Sequence, residues 1–130
     1  MTKRALNPEG LPAPVGPYSN VVSSAPGRLV FCAGQVALDA NGDIVGAGDI
    51  AAQTRQVMEN LRLGLEAAGA TFADVVRVVN YITDVDLFAQ MAAVRKEYLV
   101  EPYPASTLVE VSALMYPELL IEIEAIAVVE

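Results

Sequence analysis

Two carboxylates stand in an apolar run near the end of this chain, and no cation is close to them in sequence. From Leu119 to Val129 every odd position is apolar, while the even positions set Glu122 and Glu124 beside Leu120, Ile126 and Val128. A side-chain period of two makes this segment a strand with one wholly apolar face and one mixed face. A carboxylate among apolar neighbours must be solvated, paired or protonated, so Glu122 and Glu124 are the first candidates for acid or base chemistry. No Lys or Arg follows Lys96, whereas seven Glu occur in those last 34 residues. An anionic ligand held at this end of the chain therefore finds its counter-charge elsewhere.

Composition removes several other chemistries. The sequence has no histidine and one cysteine, Cys32. His-based triads, Cys/His dyads and zinc sites of the HExxH or CxxC kind are thereby excluded, and no metal or cofactor is expected. Proton transfer falls to Asp, Glu, Tyr, Lys, Cys or bound water. Cys32 has no Lys or Arg beside it to lower its pKa, so a buried inert thiol is the plainer reading. With a net charge of -8, the chain lacks the basic footprint that nucleic-acid phosphates require. The first 96 residues carry nine acids and eight bases, so the imbalance belongs to the C-terminal third. The lone cysteine and the absence of an apolar core after the two basic residues of Met1 to Pro8 point to a reduced, cytoplasmic protein.

The elements that must position these carboxylates follow from periodicity and turn chemistry. At 130 residues the chain reads as one domain, 1–130, burying roughly two-thirds of its unfolded surface. The opening, with Pro8, Pro12, Pro14 and Pro17, reads as an extended arm or turns. A strand near Tyr18 to Ala25 and another over Leu29 to Ala37, joined by Pro26-Gly27, suggest a hairpin. Gly34 within the second marks a bulge or a close approach of a ligand or another backbone. Beyond the Ala40 to Asp43 turn, Asp49 caps a helix with Ile50, Val57, Met58, Leu61 and Leu65 inward, ended by Gly69. Val75 to Thr83 is a strand. Asp86 caps a second helix, Leu87 to about Leu99, stopped by Pro102 and Pro104, and strands follow at Ser106 to Val111 and at the end. The order ββαβαββ requires crossovers, so the sheet is mixed and both helices lie on one face. A hydrophobic fraction of 54%, without any run of roughly 18 apolar residues, assigns the surplus to a subunit interface and not to lipid.

Six segments, taken in order, then resemble a known family. They are Gly16-Pro17-Tyr18, Cys32-Ala33-Gly34-Gln35-Val36, Asn60-Leu61 with Ala67-Ala68-Gly69-Ala70, Val79-Asn80-Tyr81-Ile82-Thr83-Asp84, Tyr103-Pro104, and Ile121 through Val128. Each is weak alone; their joint order and spacing across nearly the whole chain resembles the RidA (YjgF, or L-PSP endoribonuclease) family. The resemblance implies an α+β, chorismate-mutase-like fold and a homotrimer whose sheets form a central barrel with clefts between subunits. It also implies hydrolysis of reactive enamines and imines, such as 2-aminoacrylate, to the keto acid and ammonia. In that reaction an arginine on the strand after Tyr-Pro pairs with the substrate carboxylate while water attacks the imine carbon.

This chain departs from the pattern at that arginine. Such deaminases read Tyr/Phe-Pro-x-Arg, whereas here the run is Tyr103-Pro104-Ala105-Ser106, and a serine cannot clamp a carboxylate. Truncating one partner of a buried charge-assisted pair commonly costs roughly 2 to 5 kcal/mol. Ala33, Ala92 and Leu108 likewise replace the family's cleft serine, helix asparagine and strand cysteine, while Tyr18, Gly34, Phe88 and Glu122 remain. By the resemblance, Glu122 orients or deprotonates the attacking water, Tyr18 offers a hydroxyl, and Ala33, Gly34, Phe88 and Ser106 line the ligand cleft. Against this stand plainer readings: a solvated strand Glu122, core packing for Tyr18 and Phe88, and an ordinary strand serine at Ser106.

Two functions follow. One is hydrolysis of enamine or imine metabolites, with little or no turnover of 2-aminoacrylate, on a substrate that is neutral or held by Arg4, Arg28, Arg95 or Lys96 of a neighbouring subunit. The other is a non-catalytic trimer that binds a small metabolite. Ribonuclease activity fits badly with the charge and the missing histidine.

Overall fold

The computed structural model describes residues 3–130 of the chain. Its elements, in chain order, are β1 (Arg4–Leu6), β2 (Val21–Ser23), β3 (Arg28–Gln35), α1 (Ile50–Ala67), β4 (Val75–Ile82), α2 (Phe88–Lys96), β5 (Ala105–Glu110) and β6 (Ile121–Val129). Four of them form the main sheet in the order β3-β6-β4-β5, with β6 antiparallel to both neighbours and β4 parallel to β5. The parallel pair flanks α2, the crossover that a strand-helix-strand unit requires. This is the expected α+β class: a mixed sheet with both helices on one face.

The alternation of the last segment decides which face. Ile121, Ile123, Ala125 and Ala127 are buried against the inward side of α1, where Ile50, Val57, Met58, Leu61 and Leu65 point. Truncating one of these leucines to alanine costs a core of this kind about 2 to 5 kcal/mol. Asp49 caps α1 by accepting from the Ala52 amide at 3.1 Å, and Gly69 follows the helix at φ +75°. Buried Gln53 ties α1 to the start of β6: its amide donates to the Glu118 carbonyl at 2.8 Å and its oxygen accepts from the Leu120 amide at 2.8 Å. The helix thereby sets where Glu122 begins.

Three local expectations are corrected. The hairpin does not form: β2 pairs with β1 in a separate two-stranded sheet, and β3 pairs with β6 instead. The apolar β6 offers β3 a longer buried partner than a short strand after a Pro-rich arm can. The added strand Arg4–Leu6 makes the order βββαβαββ. The second helix is capped otherwise than expected as well. Asp84, in extended backbone, accepts from the Asp86 amide at 2.9 Å and opens a 3₁₀ turn over Val85–Leu87; α2 proper starts at Phe88 and ends at Lys96. Asp86 is already inside that turn, where an N-cap side chain cannot reach back to a free amide.

Among the described residues no helix lies on the other sheet face. Leu29 and Phe31 on β3 are 58% and 71% exposed there. Among the described residues no helix is long and apolar enough to cross a membrane.

Candidate functional site

Glu122 and Glu124 lie on the open face, between the buried positions of β6, and both are half-buried. Cross-strand register separates their fates. Tyr81 of β4 stands opposite Glu122, yet its hydroxyl donates diagonally to Glu124 Oε1 at 2.6 Å. That bond to a carboxylate holds the Tyr81 pKa above its usual value, with desolvation adding to it. Glu124 is thus tied, whereas no described residue donates a hydrogen bond or ion pair to Glu122. The Glu122 carboxylate lies directly over Gly34: a Cβ on that glycine would overlap Oε2 and sit 2.9 Å from Cδ. The register shift between Cys32 and Gln35 is the bulge expected at Gly34. Asn60 fixes the chain just beyond it, donating to the Val36 and Leu38 carbonyls at 3.1 and 3.0 Å. Ala33 is exposed on the bulge, and a hollow of about 520 Å³ lined by Gly34, Gln35, Gln56 and Asn60 adjoins it.

Ser106 belongs to the opposite face. Its Oγ accepts from Asn80 Nδ2 at 2.9 Å and from Arg95 Nη1 at 3.2 Å, so it points under α2, while Thr107 is exposed on the other side. Asn80 and Arg95 are 0% and 1% exposed. Asn80 Oδ1 accepts from Arg95 Nη1 at 2.6 Å, and Asn80 Nδ2 also donates to the Thr107 carbonyl at 2.9 Å. Desolvation pulls the Arg95 pKa down to about 10. Tyr18 is stitched beside the same end of β5. The next residue, Ser19, bridges Ala105 in parallel, donates from its amide to the Pro104 carbonyl at 3.0 Å and from its hydroxyl to the Tyr103 carbonyl at 2.6 Å. The half-buried Tyr18 hydroxyl accepts from the Val15 amide at 3.4 Å.

The residues in question therefore fall into two candidate half-sites. Glu122, Gly34 and Ala33 gather at the bulge on the open face; Ser106 and Tyr18 gather at the start of the edge strand. Phe88 joins neither closely. It packs on the core at the far end of α2 from Arg95, about 10 Å along the axis at 1.5 Å per residue. Cys32 points toward α1, near Gly64, and burial pushes its thiol pKa up, as an inert cysteine requires. Among the described residues no three His, Cys, Asp or Glu side chains converge as metal ligands would.

Asn80, Tyr81 and Gln53 are residues that patterns alone do not single out as neighbours of the site, and Arg95 enters the sequence reading only as a cation from a neighbouring subunit. A signal existed for Arg95, which falls on the buried stripe beside Val94 and four residues after Met91, where a cation is out of place. Asn80 shares the inward parity of Val78 and Ile82.

This chain is similar to known proteins over nearly its whole length. Residues 9–129 match the family model described as Endoribonuclease L-PSP. A RutC family protein of Pyrococcus horikoshii is 45% identical over 125 residues, covering 96% of this chain and 97% of that protein. The 3-aminoacrylate deaminase RutC of Acinetobacter baylyi is 37% identical over 127 residues, and a 2-iminobutanoate/2-iminopropanoate deaminase of Dermatophagoides farinae is 33% identical over 128, each covering 98% of both chains. Among solved structures, the Rid family protein YyfB of Yersinia pestis, described as of unknown function, superposes with a TM-score of 0.84 at 41% identity, covering 99% of this chain and 100% of that one.

Proposed function

The chain belongs to the RidA/YjgF family, the Endoribonuclease L-PSP family of the matching model, and on that premise we propose that it hydrolyses small enamine or imine metabolites. An enamine protonated on carbon becomes the imine. Water then adds to the imine carbon, the C=N electron pair moves to nitrogen, and the resulting carbinolamine loses ammonia to leave a carbonyl. Glu122 takes a proton from the water and passes it to nitrogen, then carries the carbinolamine hydroxyl proton to the same nitrogen as it departs as ammonia. The observation that carries this reading is the division of labour between the two carboxylates: Glu124 is occupied by Tyr81, while Glu122 has no hydrogen-bond donor among the described residues and faces Gly34.

The two half-sites lie on opposite faces of one sheet, so a complete cleft needs the edge of one subunit against the open face of another. Exposed Leu29 and Phe31 supply an apolar surface for that association, and a homotrimer with inter-subunit clefts is the assembly we propose. Tyr18 supplies an orienting hydroxyl, and Ala33, Gly34 and Ser106 line the cleft. With serine where the deaminases carry arginine, 2-aminoacrylate is a poor substrate.

The test is keto-acid release from imines generated in situ by amino-acid oxidases. Release accelerated over the uncatalysed rate for at least one imine, with 2-aminoacrylate near background, is the expected result. Rapid turnover of 2-aminoacrylate refutes the reading of Ser106; no acceleration with any imine leaves the metabolite-binding trimer instead.

A further inference from the structure

The hollow beside the Gly34 bulge lies between α1 and β3, the end strand of the sheet. At about 520 Å³ it falls within the roughly 300 to 1,000 Å³ of small-molecule sites. The orientation of its amides is not free. Asn60 faces two carbonyls, those of Val36 and Leu38, and only its Nδ2 can donate to both. Its Oδ1 must therefore turn to a donor, which Gln56 Nε2 supplies at 2.9 Å from one helical turn earlier. That leaves Gln56 Oε1 as an acceptor. Gln35 is fixed likewise, because its Nε2 donates to the Ala33 carbonyl at 3.2 Å. Asp39 engages Oδ1 with the Asn41 and Asp43 amides, at 2.9 and 3.0 Å. Among the described residues nothing donates to Gln35 Oε1, Gln56 Oε1 or Asp39 Oδ2.

Three acceptors, one of them on a carboxylate, thus belong to side chains of one hollow, and among the described residues no Lys or Arg lines it. A primary ammonium carries three N–H donors and one positive charge, the complement of that set. Val36, Leu38 and the 56% exposed Leu63 add apolar wall, along which a short alkyl stem can lie while its charged head stays at the acceptors. We infer that this hollow is a specificity subsite for the alkylammonium end of a ligand. Gly34 joins it to the reacting carboxylate, since the glycine lines the hollow and Glu122 lies directly over it. A ligand seated by its ammonium beyond the bulge presents its other end to Glu122. That this other end is an imine or enamine rests on the hydrolase reading above; the seat for the ammonium does not.

Three probes with one stem and three heads test this: n-butylammonium, 1-butanol and butanoate. They are titrated into the protein by amide chemical shift at about 0.15 M salt, which screens the general attraction of a chain of charge -8 for any cation. Butylammonium is expected to bind at least tenfold tighter than either of the others, with the shifts centred on Gln35, Asp39 and Gln56. Asp39→Asn keeps an oxygen for the two turn amides and removes the charge, so it is expected to weaken butylammonium about fivefold. Glu101→Gln, at an exposed acid outside the hollow, leaves the affinity unchanged. Gln56→Lys can still donate to Asn60 Oδ1 but sets a cation in the hollow, and is expected to reverse the order in favour of butanoate.

Equal affinities for the three heads, no binding of butylammonium, or shifts centred away from the hollow would each overturn the assignment. So would undiminished butylammonium binding in Asp39→Asn or Gln56→Lys, or an equal loss in Glu101→Gln. Should Gln56→Lys fail to fold, the wild-type order and Asp39→Asn decide. The hydrolase reading fails separately: butylammonium bound at the hollow of a protein that hydrolyses no imine removes that reading alone, and imine hydrolysis by a protein indifferent to the three heads removes this one alone.

Discussion

Replacing Gly34 by alanine moves one carboxylate and little else. A Cβ there sits 2.9 Å from Glu122 Cδ and overlaps Oε2, against an ordinary carbon contact of roughly 3.5 to 4.0 Å, so the carboxylate must retreat by about 1 Å. The obstacle is the free end of a side chain, and Gly34 is not among the glycines at positive φ, so the backbone accepts alanine. The lower entropy of the unfolded alanine chain, worth roughly 0.4 to 1 kcal/mol, offsets the displacement, and the melting temperature is expected to stay within about 4 °C. Catalysis does not share that tolerance. Misplacing a reacting group by 1 Å costs about 10²-fold, or about 2.7 kcal/mol of transition-state stabilisation. Steady-state kinetics on the imine that the wild type hydrolyses fastest should show that loss in kcat. Wild-type kcat in Gly34→Ala, with a crystal structure confirming the displaced carboxylate, would refute Glu122 as the group that handles the water.

Glu122→Gln is expected to lower kcat by about 10² to 10⁴, whereas Glu124→Gln, which leaves Tyr81 an acceptor, changes it less than about threefold; equal losses in the two variants would undo the distinction drawn between them. Ser106→Arg places a second guanidinium against Arg95, so alone it is expected to lower the melting temperature by several degrees. Combined with Arg95→Met it should regain stability and turn over 2-aminoacrylate, and a double variant still inactive on that substrate contradicts the role given to Ser106. Phe31→Asp charges the open sheet face and is expected to convert the assembly to monomers in sedimentation velocity; a wild-type protein that is already monomeric at micromolar concentration removes the trimer.

What could be read from the chain was whatever local periodicity and turn chemistry govern. The alternation of β6, the capped and glycine-ended α1 and the bulge at Gly34 all follow from spacings of a few residues, and each is found. Partner choice is different in kind. Arg4–Leu6 is too short to carry a pattern, and β3 could pair with its neighbour in sequence or with a strand from the far end of the chain; burial of the longer apolar surface chose the latter. The two glutamates of β6 have nearly equivalent surroundings in sequence. Only the diagonal hydrogen bond from Tyr81, fixed by the β4–β6 register, sets them apart. Ser106 reads as an empty position for the same reason: its cation arrives from another element, and the buried stripe that carries Arg95 does not say which strand it meets.

The bridge from Ser19 to Ala105 has a consequence for solubility. Strand β5 ends the sheet, and its outer amides and carbonyls form a template on which another chain can grow a strand. By docking there in parallel, the segment before β2 occupies part of that template with its own backbone. A chain shortened past Ser19 would lose this guard together with the support of Tyr18, and inactivity of such a truncation would arrive mixed with clumping. Deletions in the arm are therefore a poor way to ask what Tyr18 does, and point substitutions that leave Ser19 in place are the cleaner instrument.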